Sequence, residues 1–463
     1  MSDLKTIYDA ITKKRAEYNM LDDYYRGQQP TVWLTKRMRE IFKPLDISFI
    51  ENWCSVVIDA CNERINLTGY ESSNAQAEKT LAQAWERSLM ALEAADVHTY
   101  ALVLGEAFAI VWPDENGQAE VYYNDPRLVH AIYAGDNPRK MLAAGKVWNG
   151  DDGTIKLTIY YPDRLEYYTT TIKAESVNSA EAFQPDTSMA QNGVAANPYG
   201  MVPVFHFKFN RTGSSDLVNV ISLQNGINKL LADMMVAAEY GAFRQRYVIS
   251  SADTSQLKNA PNEIWSLPAG DGIGQPTTAG EFSATDLKNY LDAIDRLSLA
   301  IGVITRTPKH YFYAQGGDPS GEALIAMEAP LNKKAADRID RFRPVWRSIA
   351  LFICQIEGVT VTAEEVTPQF EATETVQPRT QAEIVKLNVE SGIPLDTALT
   401  RTGWTDSEIE TMNAIKDEEA GKAQTSLAAA LLDAEQRMKT ATIPGGPNPQ
   451  PLPDTGRGGR SVE

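Results

Sequence analysis

Two apolar helical stripes, separated by a stretch that cannot be helical, occupy residues 286–358, and the second stripe runs through two prolines. Leu287, Leu291, Ile294, Leu297 and Ile301 keep steps of three and four residues and so share one face of a short helix. Residues 305–319 (TRTPKHYFYAQGGDP) combine prolines, a Gly pair and a His-Tyr-Phe-Tyr cluster, and can extend neither helix. Beyond Ser320, a fitting N-cap, the spacing resumes through Leu324, Met327, Leu331, Ala335, Ile339, Phe342, Trp346, Ile349 and Ile353. Pro330 and Pro344 lie inside this run. Each removes a backbone donor and collides with the preceding turn, so a long helix bent at one or both places is expected. This is structural machinery, not a catalytic site.

The rest of the chain changes period along its length. Residues 3–26 place Leu4, Ile7, Tyr8, Ile11, Tyr18 and Leu21 near one helical face and end at Gly27. Residues 49–64 form a second expected helix and 78–104 one or two more, with Trp85, Leu89 and Leu92 on a common face. From Glu106 the pattern turns to short extended runs: 108–112 and 120–123 straddle the turn Asp114-Glu115-Asn116-Gly117, and 154–161 and 165–171 straddle Pro162-Asp163. The fold class is therefore α+β and helix-rich. Residues 176–198 show no period and are expected to be an exposed loop, after which 202–209 return to strand. Leu217, Ile221, Gln224, Ile227, Leu231, Met234 and Ala238 form another helical stripe. Short runs at 247–249 and 263–268, with a Gly-rich turn at 270–274, come after it and cannot bury a core alone. A helix over 380–391 closes at Gly392 and Pro394, Thr405-Asp406-Ser407-Glu408 is a capping box, and a further helix is expected over 424–438. Residues 444–463 are Pro- and Gly-rich and expected to be disordered.

At 463 residues the chain can hold two or three cored domains. Its formal net charge of −17 and pI near 4.9 argue against a surface built to grip phosphate backbones. Cys54, Cys61 and Cys354 offer no disulfide framework, because Cys54 and Cys61 would sit about 10 Å apart along one helix. The start lacks the layout of a signal peptide, and no apolar run approaches the length of a membrane span.

No candidate for reactive chemistry in the sequence outweighs its structural explanation. There is no phosphate-binding P-loop, zinc-protease helix motif or nucleophile elbow. His98, His130, His206 and His310 lie far apart without ligand-spaced partners, so no metal or cofactor is expected. The Gly-rich 270–274 stretch lacks the strand-to-helix context of a nucleotide loop, Asp163 and Glu166 lack the lysine that would complete a nuclease metal pair, and the single Arg-Gly-Gly-Arg at 457–460 is a solvated tail. The strongest functional candidate is the cluster Lys309, His310, Tyr311, Phe312, Tyr313 with Gln315; its structural alternative is an aromatic patch packed on its own helices.

The order of these segments resembles the portal proteins of tailed bacteriophages, in which a stem helix, a channel loop and a long kinked helix succeed one another. Ser320-Gly321-Glu322-Ala323-Leu324 is similar to the start of that family's kinked helix. The resemblance extends to Asp23-Tyr24-Tyr25-Arg26-Gly27-Gln28-Gln29-Pro30, Asn52-Trp53-Cys54 with Val56, Val57, Asp59, Ala60 and Arg64, then Leu67, Gly69 and Tyr70, Gly105-Glu106-Ala107-Phe108, Pro203-Val204 and Gly213-Ser214-Ser215-Asp216-Leu217. No single motif is diagnostic; their order over roughly four hundred residues carries the resemblance.

The resemblance implies a ring subunit, dodecameric, with a wing at 1–214, stem helices at 215–245 and 286–304, a clip at 246–285 and a channel loop at 305–320. A long kinked wing helix and exit strand would cover 321–378, a helical crown 379–440 and a tail 441–463. It implies a virion protein at one capsid vertex, assembled in the host cytoplasm, that passes double-stranded DNA during packaging and ejection. Its expected partners are the terminase large subunit, neck or tail adaptors, and the major capsid or scaffolding protein. The clip surface would present Glu263, Trp265 and Asp271, and a ring of Lys309 side chains would touch passing phosphates. The rivals are a non-channel capsid-associated adaptor, disfavoured by the hairpin-rich middle, and a metal-dependent phosphoester-processing enzyme, which lacks a metal pair.

Overall fold

The computed structural model describes residues 2–30, 50–174, 177–242, 246–250, 265, 277–283, 285–312, 320–373, 378–404 and 406–440. The expectations for Glu263, for the Gly-rich 270–274 turn with Asp271, for Tyr313 and Gln315, and for the tail at 441–463 lie outside these residues. The chain divides into two compact units, Met1–Thr375 and Val376–Glu463.

The first unit opens with helix α1 (Ser2–Tyr25), which ends at Gly27 in a left-handed conformation. Leu4, Ile7, Tyr8 and Ile11 pack on one core with Ala143, Val147, Leu157 and Ile159, whereas Tyr18, Leu21 and Tyr24 enter the main core. One amphipathic stripe thus joins two layers. Ile7 sits so close to Gly145 that a Cβ there would lie 2.6 Å from Ile7 Cγ2, so that strand position needs glycine.

Helices α2 (Trp53–Asn62), α3 (Ala75–Arg87) and α4 (Met90–Leu104) come next, with strand β1 (Leu67–Ser72) between the first two. Asn74 caps α3 by accepting from the Gln76 and Ala77 amides. The chain breaks between α3 and α4 at Leu89, whose left-handed φ of 49° turns α4 away from the line of α3. This overturns the common face expected for Trp85, Leu89 and Leu92: Leu89 and Leu92 are exposed, because the helical phase is lost at the break.

Strands β2 (Glu106–Pro113), β3 (Ala119–Asn124) and β10 (Val204–Lys208) form an antiparallel sheet ordered β10-β2-β3, with Ile110 opposite both Val204 and Tyr122. The second sheet is ordered β4-β5-β6-β7-β8, from β4 (Val129–Tyr133), β5 (Met141–Asn149), β6 (Thr154–Tyr160), β7 (Arg164–Lys173) and β8 (Phe183–Pro185), and β9 (Val194–Ala196) pairs with β7. Residues 177–198, the described part of the expected loop, are therefore not simply exposed. Ala180, Asp186 and Asn197 are buried there, and Asn197 Nδ2 donates to the Tyr161 and Met201 carbonyls at 2.8 Å. Side-chain anchors, not periodicity, order this stretch.

The free edge of β3 is closed residue by residue. The Ala119 amide donates to Glu357 (2.9 Å), the Val121 amide to Ser88 Oγ (3.0 Å) and the Tyr123 amide to Glu93. These side chains satisfy the donors an edge strand leaves open. Between the sheets, Glu106 is a buried carboxylate that accepts from Lys14 (2.7 Å), Tyr18 and His206 Nε2 (3.0 Å), with Lys208 3.4 Å away. Burial alone would raise its pKa, but the His206 hydrogen bond and the Lys14 charge hold it well below the usual carboxylate range.

Helix α5 (Ile221–Ala242) and helix α6 (Lys288–Thr305) pack together, Gly226 facing Leu297, with a small antiparallel ribbon of β11 (Arg246–Ile249) and β12 (Thr278–Glu281) between them in sequence. Leu217, expected at the start of the helical stripe, is buried in the turn before α5. Helix α7 (Gly321–Ile356) then runs for 36 residues through both prolines, opened by Ser320, whose side chain accepts from the Ala323 amide. Leu331, Ala335, Ile339, Phe342, Trp346, Ile349 and Ile353 are buried, as their spacing predicts, and form the spine of the main core. Strand β13 (Val366–Phe370) returns to pair antiparallel with β1.

The second unit holds α8 (Pro378–Glu390), α9 (Leu395–Arg401) and α10 (Asp406–Thr440). The separate helix expected over 424–438 is the continuation of α10, which passes through Gly421 without a break.

Candidate functional site

The site lies where α6 ends and α7 begins. Arg306 terminates α6 with a left-handed φ of 62°, and the Thr307 amide returns to the Gly302 carbonyl at 2.9 Å. Pro308 then leads into a single 3-10 turn, Lys309–Tyr311.

Each residue of the aromatic cluster has a distinct place. Phe312 is only 6% exposed, its ring 4.9 Å from that of Trp53 at the start of α2. Tyr311 accepts from Arg64 Nη2 at 2.9 Å, and His310 Nε2 lies 2.7 Å from Glu328 Oε1. Lys309 is exposed and, among the described residues, has no ion pair. The turn is thus docked by three consecutive side chains and leaves one cation exposed. Tyr313 and Gln315 lie outside the described residues. So do Glu263 and Asp271, while Trp265 lies 5.7 Å from the Arg246 guanidinium.

The docking depends on residues that helical spacing did not single out. Arg64, just beyond the end of α2, pairs with Glu328, 264 residues away in sequence, at 2.5 Å. Lys334 and Arg338 of α7 hold Asp216 at 3.0 Å each. At the other end of α2, the Trp53 amide donates to Gln224 Oε1 (3.0 Å), Gln224 Nε2 to Asn228 Oδ1 (2.9 Å) and Asn228 Nδ2 to Gln29 Oε1 (2.5 Å). This buried polar chain fixes α5 to α2 without a formal charge.

Two depressions flank Arg306. One, of about 240 Å³, is lined by Leu299, Gly302, Val303, Pro308, Phe312 and Met327; the other, of about 280 Å³, is polar and lined by Asp216, Asn219, Thr305, Lys334, Asp337 and Arg338. In the polar one the carboxylates are ion-paired, Asp216 to Lys334 and Arg338 and Asp337 to Arg338 and Arg341. No cluster of three or more His, Cys, Asp or Glu suited to a metal ion occurs among the described residues. Asp163 and Glu166 are tied to Arg164, at 3.1 and 2.7 Å, as parts of a hairpin. The three cysteines are free and buried, and burial pushes the Cys54 thiol up to about 12. No helix among the described residues is long and apolar enough to cross a membrane.

The first unit is thus a mixed helix-and-sheet body with a pair of packed helices and a long proline-containing helix that starts beside a docked turn. The chain belongs to the family described as "Phage portal protein, SPP1 Gp6-like", which matches residues 4–425. It is 24% identical over 432 residues to the portal protein of Mycobacterium phage L5, covering 86% of this chain and 83% of that one. It is 24% identical over 429 residues to the portal protein of Mycobacterium phage D29, covering 85% and 82%. The family is structural rather than enzymatic, and the chain is a component of the phage capsid.

Proposed function

We propose that this chain forms a closed ring, a dodecamer, at one capsid vertex and serves as the conduit through which double-stranded DNA enters during packaging and leaves at ejection. In this reading α5 and α6 are the stem, β11 and β12 belong to the clip, the second unit is the crown, and Lys309 faces the channel. Terminase docks on the clip during packaging, neck or tail adaptors replace it later, and the major capsid or scaffolding protein surrounds the wing. Assembly takes place in the host cytoplasm.

The observation that carries the ring is the outer face of α6. Ile294 and Ile301 are buried, yet Leu291, Leu299, Val303 and Ile304 are exposed, Val303 by 73%. A helix apolar on both sides is expected where a second partner covers it. Rotational repetition does so for every subunit without leaving an open end.

Averaged electron micrographs of the purified protein test the reading, together with Val303→Asp. The expected result is a ring with an axial hole for the natural sequence, and folded, dispersed monomers for the variant, since burying an unpaired carboxylate costs several kcal/mol, about 3 or more. Compact particles without a channel would overturn the ring. Intact rings of Val303→Asp would show that α6 is not the covered face.

A further inference from the structure

We propose that Arg64 is the pin of a hinge at Pro330, holding residues 321–329 and the 309–311 turn against the body as one movable piece. Pro330 offers no amide to the Ala326 carbonyl, and its ring crowds the preceding turn, so the helical ladder of α7 is interrupted there, as it is again at Pro344 within the core-packed part. The burial pattern changes at the same point. No described side chain over residues 321–330 is buried, while Leu331 is fully enclosed and begins the core-facing stripe. The leading part of α7 is therefore not held by the core.

What holds it is charge. Glu328, two residues before the proline, receives Arg64 Nη2 at 2.5 Å and His310 Nε2 at 2.7 Å. Asn332, two residues after it, accepts from Arg64 Nε at 2.8 Å. One guanidinium thus spans the missing helical hydrogen bond from both sides. Its remaining donors go to the Ala60 carbonyl (2.7 Å) and the Tyr311 hydroxyl (2.9 Å), so the 3-10 turn is gathered into the same junction. Arg64 itself does not yield: it sits at the end of α2, whose Val57, Ile58, Ala60 and Cys61 are buried. The Arg64 and Glu328 side chains are 14% and 16% exposed, enough shelter to strengthen the pair and enough access for water to replace it when it opens. Only a planar fork can serve these four acceptors together, which a lysine ammonium cannot.

Amide hydrogen exchange on the full-length protein tests the hinge, by comparing Arg64→Lys with the double variant Arg64→Lys/Pro330→Ala. With Arg64→Lys, exchange over residues 323–329 is expected to quicken about tenfold or more, while residues 335–353 keep their protection. Adding Pro330→Ala closes the helical ladder and is expected to restore protection to 323–329. If Arg64→Lys does not fold, Glu328→Gln gives the same readout, because it keeps the side chain's shape and removes the charge from the pin. Unchanged exchange over 323–329, or equal acceleration on both sides of Pro330, would overturn the pin. Failure of Pro330→Ala to restore protection would overturn the hinge. None of these outcomes depends on ring formation, which the micrographs report separately.

Discussion

At the scale of single residues, His98 shows how a histidine without a ligand can still govern behaviour. Its Nδ1 lies 2.9 Å from the Ile65 carbonyl, which can only accept, and its Nε2 lies 2.9 Å from the Trp346 indole N–H, which can only donate. The ring is therefore the neutral Nδ1–H tautomer, stacked 5.2 Å from Phe342. Burial lowers its pKa from 6.5 to about 4, partly opposed by the Ile65 bond. Between those two values the unfolded chain holds a proton that the folded chain does not, so stability falls as pH falls. The contribution is complete above pH 6.5 and lost on descending to about pH 4. His98→Gln can keep both hydrogen bonds without titrating. Urea unfolding at pH 7 and again near pH 4 is expected to show an acid-side loss smaller by about 3 kcal/mol in the variant. An unchanged loss would mean that His98 is not held neutral in the folded protein.

At the scale of elements, the β3 edge shows side chains standing in for a missing strand. Ser88→Ala would leave the buried Val121 amide without an acceptor and is expected to cost about 1–3 kcal/mol. Ser348→Ala, on an exposed hydroxyl that bonds the Pro344 carbonyl, should change stability by less than about 0.5 kcal/mol. A lowered urea midpoint at constant slope for the first alone would confirm the edge role; equal midpoints would refute it. The same elements show what sequence makes visible. The stripes of α1 and of α7 from Leu331 onward are legible because burial there keeps a single helical period, whereas Leu324 and Met327, which share the spacing, are only half-buried. The αL break at Leu89 is not, because a leucine carries no turn signal. Residues 177–198 are ordered by Asn197 and Asp186 side chains that leave no period to read. The candidate turn is legible in composition, but its docking is not, because Arg64 and Glu328 meet across 264 residues of chain. Nothing local in either helix announces that pairing.

At the scale of the whole molecule, the balance of charge bears on the proposed role as a DNA conduit. A net charge of −17 repels the phosphate backbone, and one exposed Lys309 per copy of the proposed ring is too sparse to reverse that. Binding driven by phosphates must release counterions and so weaken steeply with salt; a protein that only guides its cargo has little such binding to lose. Titrating linear duplex DNA into the purified protein is therefore expected to show no binding tighter than about 0.1 mM at moderate salt, the weak limit of ordinary non-specific contacts. Lys309→Ala should leave this result and ring assembly unchanged, while reducing the retention of packaged DNA in assembled particles. The difference arises because confinement forces repeated weak contacts that dilute duplexes never make. Tight, salt-sensitive binding to free DNA would place a phosphate-gripping surface on this acidic chain and count against passive guidance. Retention unaffected by Lys309→Ala would count against the proposed placement of that lysine in a channel.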